Sequence, residues 1–120
     1  MKEFRPAPVK ATVPAAALEA LDVRVGTITA LEDVPRSERL VRLTVDFGDH
    51  TRHVVAGIRQ ERARPADIVG RQALFVVNLE PRTIRGCLSE GMLFDLGYAD
   101  GVAPALAVPE RPVPNGTRAG

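Results

Sequence analysis

The chain has no tryptophan, one tyrosine, one cysteine and only two lysines, and each scarcity excludes something. Without a second thiol, Cys87 cannot form an intrachain disulfide, and an all-cysteine zinc site is ruled out. The thin supply of Tyr and Phe removes the platform on which a generic single-strand binder stacks bases. No apolar run approaches the length of a bilayer span, and prolines interrupt the N-terminal "MKEFRPAPVKATVPAAALEAL" where a leader's apolar segment would lie. Neither a Gly-rich phosphate loop nor a nucleophile elbow is found. The pair His50 and His53 lacks the further ligands that a metal site needs. These absences predict a non-catalytic, cytoplasmic chain that takes no cofactor and no membrane partner.

What is present suits one globular domain: 120 residues, 45% of them hydrophobic and 26% charged. The net charge is only +1, so an anionic partner needs basic residues gathered in one place. Arginine replaces lysine almost throughout, beside abundant Ala and Pro, which reads as a compositional habit. Placement of the arginines therefore matters more than their number.

Residues 1–13 read as an extended arm and residues 14–120 as the folded unit. "TVPAAALEAL" suits a short helix, with Thr12 as a candidate N-cap and Pro14 in the first turn. Strand signals follow. In "DVRVGTITALEDV" the apolar phase changes across Gly26 and Thr27, which predicts a bulge there. "LVRLTVDFG" alternates, with Val41, Leu43, Val45 and Phe47 inward. "GDHT" reads as a turn, "RHVVAGI" as a third strand, and "RPADIVG" as a short helix closed by Gly70. "QALFVVNL" is a strand buried on nearly both sides, and "SEGMLFDLGY" a fifth. "APALAV" offers a short sixth. The expectation is all-β: a five-stranded Greek-key OB-fold barrel, with a short N-terminal helix and a short helix between strands 3 and 4. An SH3-like barrel or small sandwich is the alternative.

Between the fourth and fifth strands, "NLEPRTIRGCLSEGM" breaks the apolar pattern with Pro81, Arg82, Arg85 and Gly86. Two guanidinium groups on one loop can grip phosphates with charge-assisted, bidentate bonds. "VPRSERL", between the first two strands, would bring Arg36 and Arg39 to the same barrel mouth. Arg24 and Arg42, on outward strand positions, would widen the patch. "IRQERAR" is another basic run and reads as a solvated flank.

Several segments in order carry a resemblance: "LDVRVGTI", "VDFGD" with "VVAGI", "IVGRQALFVVNLEPRTIRG" with "SEGM", and "VPERPVPNGT". From about Leu21 to Arg118 the chain resembles the tRNA-binding domain family. That family includes free-standing tRNA-binding proteins, the appendage of some methionyl-tRNA synthetases, EMAP-II-like domains and CsaA-like export chaperones. The resemblance implies an OB-fold that recognises tRNA by shape and backbone. It implies a contact set of Asn78, Arg82, Arg85, Ser89 and Met92, with Arg39 reaching in from the first loop. Glu80 and Glu90 depart from the family's usual lysine and glutamine and lower the local positive potential. The alternative implied is a CsaA-like dimeric chaperone for unfolded export precursors, which needs an exposed apolar groove. Partners expected are therefore tRNA, a second copy of the chain, and either precursor proteins or an aminoacyl-tRNA synthetase.

Overall fold

The computed structural model describes residues 3–120. The first two residues of the expected arm lie outside the described ones. Residues 3–14 form no regular element and are exposed along their length. A single-turn helix α1, Ala15–Glu19, follows, and Pro14 takes its N-cap position without a side-chain cap. Thr12 lies two residues too early to cap it.

An all-β unit then begins, as expected. Its centre is a curled antiparallel sheet of five strands: β1 (Val23–Asp33), β2 (Val41–Asp46), β3 (Thr51–Ala56), β4 (Gln72–Val76) and β7 (Met92–Leu93). Their spatial order is β3-β2-β1-β4-β7. A 3-10 helix, Pro65–Ile68, stands between β3 and β4 and plugs one end with the buried Ile68. The alternation of β2 drives Val41, Leu43 and Val45 into the core, and Phe47 follows on the same face. Phe47 and Phe75 meet edge to face, with ring centroids 5.5 Å apart. Such a pair contributes about 1 kcal/mol beyond its buried area.

The long β1 serves two neighbours. Residues 23–27 pair with β4, whereas residues 27–33 pair with β2. The bulge falls between Ile28 and Ala30, not at Gly26–Thr27. The phase change near Gly26 has another cause. Gly26 faces the core, where a β-carbon would lie 2.6 Å from Val45 Cγ1 and 2.7 Å from Phe47 Cε1. Val25 is buried beneath a different layer. The C-terminal segment runs beside this half of β1, donating Gly116 N–H to Val25 O (2.8 Å) and accepting Val25 N–H at Thr117 O (2.9 Å). Gln72 clamps the same segment through both its amide atoms to Val113.

The expected fifth strand is divided. β6 (Cys87–Ser89) pairs with β5 (Arg82–Ile84), β7 with β4, and β8 (Asp95–Leu96) with β9 (Ala105–Leu106) within the expected "APALAV". Between β6 and β7 the chain crosses to the free edge of β3. There Glu90 N–H donates to His53 O at 2.8 Å, and Val55 N–H donates to the Ser89 hydroxyl at 3.0 Å. These bonds draw the two sheet edges together.

Candidate nucleic-acid interface

The odd stretch after β4 is itself a hairpin. β5 and β6 are joined by Arg85 and Gly86 alone, with φ of 51° and 79°. Two residues at positive φ make the tight return whose twist suits a hairpin. Gly86 adopts this freely; Arg85 does so at a cost and projects from the tip. Arg82 stands opposite Ser89 in the register, and both Arg82 and Arg85 are exposed.

Ion pairing divides the arginines. Arg24 is held by Asp22 at 2.9 Å, Arg42 by Glu32 at 2.9 Å, Arg59 by Asp33 at 2.7 Å and Arg62 by Asp95 at 2.9 Å. The bond from Arg24 holds the Asp22 carboxyl below its ordinary range. The Arg42 guanidinium is held above its ordinary value by its bond to Glu32. Among the described residues no such partner holds the side chains of Arg36, Arg39, Arg82 or Arg85. Arg5, Arg52, Arg64, Arg71 and Arg118 likewise have no carboxylate partner among the described residues, so the unpaired arginines are not confined to the β1–β2 loop and the β5–β6 hairpin, although each of those two segments carries two of them. Arg24 and Arg42 each carry a local counter-charge and add little to that field.

The remaining expected contacts fall into two groups. Met92 is 48% exposed and lines a concavity of about 310 Å³ together with Arg39, so these two do share a surface. Val55 lines it too, and Ser89 ties Val55 to the hairpin that carries Arg82. Ser89 itself is only 5% exposed, and its hydroxyl is occupied with Val55 and Gly91. Asn78 is exposed, yet both its amide atoms are bound. Asp22 N–H donates to its Oδ1 at 2.7 Å, and its Nδ2 donates to Ala20 O at 2.8 Å. It ties the end of α1 to the end of β4.

Two features escaped the sequence. Tyr98 is 66% exposed and borders the same concavity, so one aromatic face is available after all. Only its neighbours in space reveal that. Glu61 and Arg62, inside a run that reads as a solvated flank, are instead largely buried, their side chains 10% and 14% exposed. Burial, and then the nearby Asp95 carboxyl, push the Glu61 carboxyl up to about 7. Their apolar surroundings come from chain segments distant in sequence, which no local pattern records.

A family described as a putative tRNA binding domain matches residues 23–118. The chain belongs to that family. It is 35% identical over 114 residues, 95% of its length, to a methionine–tRNA ligase of Bacteroides fragilis, but those residues are 16% of the ligase. A solved structure of a MetRS-related protein from Pyrococcus horikoshii superposes with a TM-score of 0.84 at 29% identity, covering 92% of this chain and all of that one. The chaperone CsaA from Bacillus anthracis superposes with a TM-score of 0.75 at 31% identity, over 92% of this chain and 100% of its own. No helix among the described residues is long and apolar enough to cross a membrane.

Proposed function

We propose that the protein is a non-catalytic tRNA-binding protein that recognises folded tRNA through its backbone and shape. The carrying observation is the sorting of its guanidinium groups. Those of the β1–β2 loop and the β5–β6 hairpin lack carboxylate partners, whereas Arg24 on β1 and Arg42 on β2 are neutralised. A-form RNA is recognised mostly by its shape and through its phosphates and 2′-hydroxyls, and exposed guanidinium forks suit that surface. Arg39, Arg82 and Arg85 are the primary contacts in this reading, with Met92 beside them. Asn78 and Ser89 contribute by holding the scaffold, and Arg24 and Arg42 lie at the periphery. Residues 14–120 form the binding unit and residues 1–13 an arm, in a cytoplasmic protein. The relation to methionine–tRNA ligases supports action alongside a synthetase.

The test is retention of bulk tRNA on a filter by the Arg82→Glu/Arg85→Glu variant. Retention is expected to vanish while the fold, followed by circular dichroism, persists. Undiminished retention would remove the site. A CsaA-like chaperone is the second reading, favoured by the superposition on CsaA and by the exposed Leu88, Met92 and Leu96. Apolar peptide binding holds or strengthens as salt rises, whereas phosphate binding weakens.

Two copies are expected to associate. Helix α1 buries none of its residues within its own chain, and Leu18 is 69% exposed. It borders a groove of about 1000 Å³ lined also by Leu21, Val23 and Ala119. Paired across a two-fold axis, these surfaces would cover one another and set two basic mouths on one particle.

A further inference from the structure

The concavity beside the basic hairpin holds an arrangement that phosphate binding does not use. Two adjoining hollows, of about 310 and 520 Å³, share Arg39, Gly57, Glu61 and Tyr98, and Met92 and Asp95 complete the wall of the first. The Arg39 guanidinium lies over Gly57, where a β-carbon would come within 3.2 Å of its Nε. Nothing among the described residues bonds to that guanidinium, although it lies close enough to Glu61 to favour the ionised carboxylate. Glu61 Oε1 is buried without a hydrogen-bond partner, and Arg62 Nη1 stands 3.7 Å away, too far to supply one. A buried oxygen left unsatisfied is destabilising, and a ligand N–H would relieve that.

We propose that this concavity takes one unstacked guanine of the bound RNA, and the proposal rests on the RNA-binding reading given above. A guanine edge presents the acceptor O6 beside the donors N1–H and N2–H₂. Arg39 donates to O6, and the Glu61 carboxylate accepts from the two donors. Tyr98 and Met92 offer their faces to the ring, as single-stranded segments of folded RNA require. Uracil and cytosine each put two acceptors on that edge, and adenine has one donor there. All three leave a Glu61 oxygen unmatched.

Glu61 faces Arg62 on its own loop, Asp95 from β8 and Arg39 from the β1–β2 loop, and burial holds its titration near pH 7. Guanine affinity therefore falls below that pH, because a protonated carboxyl cannot accept from both donors.

The test uses the full chain at pH 8 and titrates GMP, AMP, CMP and UMP separately. Tyr98 is the sole tyrosine and there is no tryptophan, so its ring protons are an unambiguous NMR probe of stacking. GMP is expected to move them upfield, saturably and at least about fivefold more tightly than the other three. Glu61→Gln is expected to erase that preference while circular dichroism stays native. Equal shifts with all four nucleotides, or none with any, overturn the pocket. The outcomes separate from those of the tRNA reading. Salt-sensitive tRNA retention with an unmoved Tyr98 sinks only the pocket, whereas a GMP-selective shift without tRNA retention sinks only the larger reading.

Discussion

Single side chains make the tightest claims. Gly26 has no room for a methyl group between Val45 and Phe47, both wholly enclosed in the core. Gly26→Ala is expected to cost about 1–3 kcal/mol, the usual penalty of overfilling a packed interior, read as a lowered urea midpoint with unchanged slope. Glu61 gives a signed dependence on pH. Its carboxyl rises from the ordinary 4.5 to about 7 on folding, so the folded chain holds a proton that the unfolded chain has released between those values. Stability is full below about pH 4.5, falls as pH rises towards 7, and levels off above it. The drop is on the order of 3 kcal/mol, and Glu61→Gln should flatten the profile in denaturant titrations. Position and role were legible to different degrees at this scale. Ser89 and Asn78 stand where the family resemblance points, yet the structure occupies their polar atoms with backbone groups far along the chain. A sequence shows that a hydroxyl is present, not which amide it meets.

At the scale of elements, the hairpin β5–β6 separates conformation from charge. Arg85 occupies a left-handed position that Asn adopts more readily, so Arg85→Asn should keep or improve the turn. The expected result is unchanged or slightly raised thermal stability with several-fold weaker tRNA binding. A variant that binds as tightly as the parent would show that the Arg85 charge makes no contact. Strands were readable where one face is core and the other solvent, as in β2, whose alternation runs without a break from Val41 to Asp46. The apolar run of β4 was readable for a related reason, since one of its faces is buried and the other partly covered. The fifth strand was not, because a period of two shows which side is buried but not which neighbour pairs. Residues 87–96 pair with three different strands in turn while keeping that pattern. The bulge was displaced for a similar cause: Val25 is buried by the C-terminal segment, a layer that the local sequence of β1 does not reveal.

Across the whole molecule, a net charge near zero hides a separation of charges. Carboxylates answer Arg24, Arg42, Arg59 and Arg62, whereas the β1–β2 loop and the β5–β6 hairpin each carry two unanswered arginines. The proposed assembly would cover the apolar surface around α1: light scattering should report twice the 12.9 kDa chain mass at micromolar concentration. Leu18→Asp should return the particle to a monomer, and a monomeric parent would end the two-fold proposal. The central claim, that unpaired guanidinium groups dock on the phosphates of folded RNA, is tested most directly by the salt dependence of tRNA affinity. Each phosphate neutralised contributes about −0.7 to −0.9 to the slope of log K against log salt. Three phosphate contacts, from Arg82 and Arg85 on the hairpin and Arg36 on the first loop, predict a slope of about −2 to −3 per bound chain, flattened by about 1.5 in Arg82→Glu/Arg85→Glu. A slope near zero in the parent, or one that the double substitution leaves untouched, contradicts the account.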